Sequence, residues 1–233
     1  MKNLNVTRSQ VEILYSQSAV TFLFPSLIAI VLAASIWDVA NHKVLIGWLA
    51  VVFVYSVIRY FLLWKYNKTK LTPDNVEYWL NIFIISTAVS GIMWGLAVII
   101  LIPEDGKSVM EFSLYSGITL LAVSGLVAGA TISYAINLAV LTAYILPALL
   151  PPSMYMISRG DIYSSALGGF ILLYCFFIGT AGYRMNRQLL FYISKQHELS
   201  KLKRQHQKLL LMYEKLSGTP VERRKNPRTK TAA

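Results

Sequence analysis

The groups able to do chemistry in this chain lie in two places. Inside long apolar stretches, Ser86, Thr87, Ser90 and Trp94 fall in one segment, Tyr115, Ser116, Thr119 and Ser124 in the next, and Tyr144 in a third. Hydroxyls, a phenol and an indole N–H among apolar neighbours suit a small amphipathic pocket, where a few hydrogen-bonding groups orient a mostly apolar ligand. Ser90, Trp94, Tyr115, Thr119 and Tyr144 are the residues expected to bind it. The ordinary alternative for the same residues is bonding between helices and anchoring at the membrane interface. Near the C-terminus, Arg224 and Arg228 stand four apart in ERRKNPR. Their planar guanidinium forks suit phosphates and stack on bases. No His cluster, paired carboxylates or Ser/His/Asp constellation is evident, so no enzyme activity is expected, and neither metal nor other cofactor is implied. The lone Cys175 excludes an internal disulfide and a cysteine-based metal site.

The elements that must position these groups are membrane helices. Of the 233 residues, 55% are hydrophobic and only 14% charged, against about 25% charged in ordinary soluble domains. Six apolar segments are long enough for a hydrocarbon core of about 30 Å: 19–37, 44–64, 79–102, 112–132, 138–157 and 162–182. The expected fold is an all-α polytopic membrane protein. A cytoplasmic amphipathic lead-in (1–18) precedes a six-helix membrane domain (19–182), a cytoplasmic helix (183–216) and a basic disordered tail (217–233). The first span follows a polar segment and lacks a small-x-small cleavage site, which marks an anchor and not a signal peptide.

The formal charge is +11. All Lys and Arg except Lys43, Lys107 and Arg159 fall on one side of a six-span arrangement, which puts both termini in the cytoplasm. A basic chain housed mostly in lipid has the bilayer, not nucleic acid, as its partner. The connector 133–137 carries no charge, as a tight hairpin allows. Arg59 is expected to extend from the cytoplasmic end of its span to the phosphates. The spans then hold no buried Asp, Glu, Lys or His, the usual parts of an ion-coupled transporter.

Gly91 and Gly95, like Gly125 and Gly129, form GxxxG pairs, and Gly117, Leu121, Gly125 and Gly129 share a face by steps of four. Such faces let backbones approach closely, so spans three and four, or two copies of the chain, are expected to pack through them. Pro147, Pro151 and Pro152 are expected to bend or unwind the outer end of span five. Beyond span six, residues 183–216 contain no Gly or Pro. There Leu199, Leu202, His206, Leu209, Tyr213 and Leu216 trace a coiled-coil seam suited to a parallel homodimer.

The order of features resembles the six-span input domain of bacterial membrane sensors that carry diguanylate cyclase or histidine kinase output domains. The elements that carry the likeness are VEILYSQSAV, SGIMWGL, PEDG, GLVAGA, LPALLPP and the charged helix after span six. The resemblance implies a bacterial inner-membrane protein that relays a signal through a dimeric cytoplasmic helix. It brings no catalytic residue. Neither a GGDEF-like signature nor an ATP-binding domain occurs in these residues, so a separate cytoplasmic effector is expected. His197, Glu198 and Leu199 open like a phosphoacceptor box, but Ser200, Lys201 and Leu202 break the pattern. The ERRKNPR segment resembles the entry of a PilZ domain, which implies cyclic di-GMP binding by Arg224 and Arg228, although the barrel that completes such a site is absent. A different expectation, from the six short-looped spans, is a small carrier for an uncharged or lipophilic solute.

Overall fold

The structure, a computed structural model, describes residues 2–16, 18–102 and 108–217. They form α1 (Lys2–Ser16), α2 (Ser18–Ser35), α3 (His42–Lys68), α4 (Val76–Ile100), α5 (Val109–Tyr134), α6 (Leu138–Ser158) and α7 (Ile162–Ser217), with no strand among the described residues. Five helices, α3 to α7, are long and apolar enough to cross a membrane, as in a multi-pass membrane protein. The first expected span falls on α2, whose described apolar stretch, Phe24–Ser35, is shorter than a crossing requires. Outward faces fit a lipid solvent: Phe53, Val54 and Phe61 of α3 are exposed, as are Phe170, Leu173 and Phe176 of α7.

Helix starts fall where a side chain satisfies the first free N–H groups. The Asn41 side-chain Oδ1 accepts from the backbone N–H groups of Lys43 and Val44 at the head of α3, and Asn137 Oδ1 does the same for Ala139 and Val140 at the head of α6. Ser108 and Glu111 form a reciprocal capping box on α5. Gly160, at φ 76°, turns the chain out of α6. Asp161 then accepts from the Ser164 backbone N–H at 2.8 Å. That bond, helped by Arg159, holds the Asp161 carboxyl below its ordinary value.

Two sets of contacts organise the unit Met1–Leu190. The most extensive is α4 on α6. A Cβ at Gly91 would lie 2.6 Å from the Tyr144 carbonyl oxygen and 2.8 Å from the Pro147 ring, and one at Gly95 would overlap the Pro147 carbonyl. The prolines explain the fit. Pro151 and Pro152 have no N–H, so the carbonyls of Pro147 and Ala148, four residues earlier, lack their ordinary helical donor. Gly95 sets its bare backbone against these carbonyls, where Cα–H···O contact is available. The first GxxxG therefore joins the third and fifth expected spans, in place of the expected third and fourth. The α6 helix also continues through its prolines to Ser158, without the expected unwinding.

The second glycine stripe departs further from expectation. Among the described residues nothing lies within 4 Å of a Cβ placed at Gly125 or Gly129, and at Gly117 Leu167 comes near, at 4.0 Å. Leu121 on that face is 75% exposed. Among the described residues the stripe packs no helix pair within the chain. Instead α7 is seated by Gly168, whose Cβ would meet the Ser153 carbonyl at 2.7 Å, and by Gly182 against Leu141.

The second set of contacts gathers at the α5–α6 turn. On α1, Gln10, Val11, Leu14 and Tyr15 are buried, so this lead-in is docked by one face. Tyr15 stacks on Tyr66 at 3.8 Å and meets Phe83 edge-on. Gln10 donates to the Ile136 carbonyl at 2.7 Å and accepts from Asn137 at 3.2 Å. From the opposite end of the chain, Asn186 of α7 donates to the Ala135 carbonyl at 2.6 Å. The uncharged hairpin is thus held by two amides. The other unit, Phe191–Ala233, is helical through Ser217, and its seam residues Leu199, Leu202, Leu209 and Tyr213 are each more than half exposed.

Candidate functional site

The α2 helix and the glycine stripe of α5 enclose a cavity of about 300 Å³. Phe24, Pro25 and Ile28 form one wall, and Gly125, Leu126, Gly129 and Ala130 the other. The absence of side chains at Gly125 and Gly129 creates the space, which gives the stripe a role other than helix packing. Phe24 is 58% exposed and both glycines are exposed, so the cavity opens through the flank of the helices, the side that faces lipid in a membrane. Its size is at the lower end of small-molecule sites, about 300–1,000 Å³.

The floor is polar. Arg59, Ser90, Ser133, Tyr134 and Tyr144 line it. Arg59 is only 6% exposed. Its guanidinium lies 3.5 Å from the Tyr134 hydroxyl and 5.5 Å from the centre of the Phe83 ring. Tyr134 meets Tyr144 edge-on at 5.9 Å, and the nearby Tyr55 donates to the Ser86 carbonyl. No acidic residue lines the cavity among the described residues, and the six apolar segments contain no Asp or Glu.

Arg59 overturns the expectation that it reaches out to the phosphates. Its direction follows from helical period. The buried residues of α3 are Leu45, Trp48, Val52, Arg59 and Leu63, separated by three, four, seven and four. That is the spacing of one inward stripe. The arginine occupies a core position, so the spans do contain a buried charge. Reading the stripe instead of the distance to the helix end would have found it.

The expected ligand residues divide. Ser90 and Tyr144 line the cavity, whereas Trp94, Tyr115 and Thr119 do not. Thr119 is fully buried and donates to the Tyr115 carbonyl of its own helix at 3.0 Å. Tyr115 is half-buried. Trp94 is fully buried against Trp48, ring centres 5.2 Å apart, and its indole nitrogen has no hydrogen-bond partner among the described residues. Trp94 therefore acts by shape. Trp94→Phe keeps most of that shape and removes the orphan donor, and it should leave thermal unfolding in detergent within about 1 kcal/mol of wild type. Trp94→Ala should cost about 2–4 kcal/mol, at and below the soluble-protein range, because lipid replaces water around the separated helices.

Among the described residues, no group of three or more His, Cys, Asp or Glu is placed to hold a metal ion. Arg224 and Arg228 lie outside the described residues, as does PEDG. No known protein family, curated protein or solved structure matches the chain. The functional reading therefore rests on the cavity and on what touches it.

Proposed function

We propose that the protein is a membrane-embedded sensory or regulatory module, in which a small amphipathic occupant of the cavity alters α7 and thereby a cytoplasmic effector. The observation that carries this reading is a single step in the chain. Tyr134 forms part of the cavity floor, and the carbonyl of the next residue, Ala135, is the group to which Asn186 of α7 is bonded. A ligand that draws Tyr134 or Arg59 toward itself pulls on the turn that holds α7. Such a relay works only if two arrangements exist and the ligand binds one of them better.

On this reading α2 supplies the sixth crossing, both termini face the cytoplasm of a bacterial cell, and the protein resides in its cytoplasmic membrane. The exposed seam from Leu199 to Tyr213 supports pairing with a second copy, because a lone helix cannot bury it. Single cysteines placed from Gln196 to Leu210 in a Cys175→Ser background test the relay. Oxidative cross-linking in membranes should show a helical pattern that shifts when a bound amphiphile is added. A pattern that stays fixed while the amphiphile demonstrably binds would sink the sensory reading and turn attention to solute carriage, measured as flux in vesicles.

A further inference from the structure

The reading above leaves the ligand's chemistry open, and the cavity narrows it. A guanidinium stays charged in any protein environment, and holding such a charge away from water costs several kcal/mol unless the surroundings stabilise it. A phenol and a ring face contribute to that stabilisation at Arg59. An arginine within a membrane span is also uncommon enough to mark a functional position by default. Among the described lining residues Arg59 is a cation and none is a carboxylate, and hydroxyl groups of Ser133, Tyr134 and Tyr144 stand on the same floor. Leading away from that floor, the walls become apolar and open on the lipid-facing flank beside Phe24.

We propose, on the basis of the cavity reading above, that the site takes a single-chain amphiphile with an anionic head. Arg59 and the surrounding hydroxyls hold the head, and the chain lies between α2 and the Gly125–Gly129 face toward the bilayer. A guanidinium fork matches a carboxylate or a phosphate with paired, charge-assisted hydrogen bonds, which are stronger in a low-dielectric site than in water. A free aqueous anion satisfies the floor but leaves the apolar walls unfilled and would have to enter through lipid. A neutral amphiphile fills the walls but cannot form the paired, charge-assisted hydrogen bonds that a guanidinium fork offers. Only an acidic amphiphile matches both surfaces and the direction of the opening.

The test uses the full chain in a neutral detergent, with binding counted by native mass spectrometry. Dodecanoate, dodecyl phosphate, dodecanol, acetate and inorganic phosphate are the probes. One dodecanoate should bind per chain, at least about tenfold more tightly than dodecanol, the lower end of what a hydrogen bond to a charged group supplies. Acetate and inorganic phosphate should not bind measurably. Tighter binding of dodecyl phosphate than of dodecanoate would assign the anion to a phosphate-headed lipid, and the reverse to a free fatty acid. Arg59→Gln should abolish the preference for acid over alcohol, while Arg59→Lys should keep it in weaker form. If Arg59→Gln does not fold, Gly125→Leu carries the test: it fills the cavity where a Cβ meets nothing and leaves Arg59 in place, and should block dodecanoate. Equal affinity for dodecanoate and dodecanol, or acid preference undiminished in Arg59→Gln and binding undiminished in Gly125→Leu, would overturn the proposal. Acid binding without any change in the cross-linking pattern defeats the relay alone, and a pattern shifted by dodecanol as readily as by dodecanoate defeats the anionic ligand alone.

Discussion

Gly95→Leu should unseat α4 from α6 and lower stability by about 3 kcal/mol or more, whereas Gly129→Ala, the same kind of position in the same kind of motif, should change it by less than about 1 kcal/mol. The difference comes from what faces each glycine. A Cβ at Gly95 overlaps the Pro147 carbonyl and comes within 3.3 Å of both the Cα and the carbonyl oxygen of Ala148. Those are backbone atoms, so no rotamer change on α6 relieves the contact, and the helices must separate along their largest interface. Even Gly95→Ala should be destabilising for this reason. At Gly129 the added methyl enters open cavity space, and helix propensity slightly favours it. Unfolding of the purified variants, followed by circular dichroism during SDS titration, measures both effects. Equal losses for Gly95→Leu and Gly129→Ala would mean that α4 does not rest on α6 through this notch.

The two glycine pairs also mark what is legible in this sequence. The presence and positions of five membrane-length helices follow from hydropathy, because lipid forces apolar, internally bonded segments and little else. The roles of small residues do not follow. Gly91 and Gly95 look like Gly125 and Gly129 in the chain; one pair is a contact and the other a vacancy, and the deciding factor is the partner opposite. For the first pair a clue exists, since Pro151 and Pro152 free the carbonyls of Pro147 and Ala148, which a glycine face can approach closely. Gly168 and Gly182, which seat α7, belong to no GxxxG pair and carry no such clue. Likewise Ser90 and Tyr144 are identifiable as polar groups among apolar ones, and two of the five expected ligand residues do line the cavity. Trp94 matched the same description, but its indole nitrogen faces no hydrogen-bond partner among the described residues, which only packing reveals. Arg59 differs from both, because its inward direction is legible in the spacing of the stripe from Leu45 to Leu63.

Asn186→Leu should leave dodecanoate binding within about twofold of wild type and abolish the ligand-dependent shift in cross-linking between Gln196 and Leu210. The Asn186 amide is 4% exposed and donates to the Ala135 carbonyl at 2.6 Å, linking α7 to the residue after Tyr134. Leucine approximates its volume without the donor, so the carbonyl is left without this bond at a cost of about 1–3 kcal/mol. Loss of a response through general loosening must be separated from loss through a broken link, and the same turn supplies the control. Gln10→Leu withdraws the amide from the adjacent Ile136 carbonyl, at comparable cost, but acts through α1, whose Gln10 bonds to Ile136 and Asn137 and not to Asn186. If the turn relays the cavity's state to α7, Gln10→Leu should retain a shifted pattern and Asn186→Leu should not. Asn186→Gln, which keeps a donor one methylene further out, should restore part of the shift. Should Gln10→Leu silence the response as completely as Asn186→Leu, the turn's stability and not its bond to α7 is what matters, and the assignment of Asn186 as the coupling residue fails.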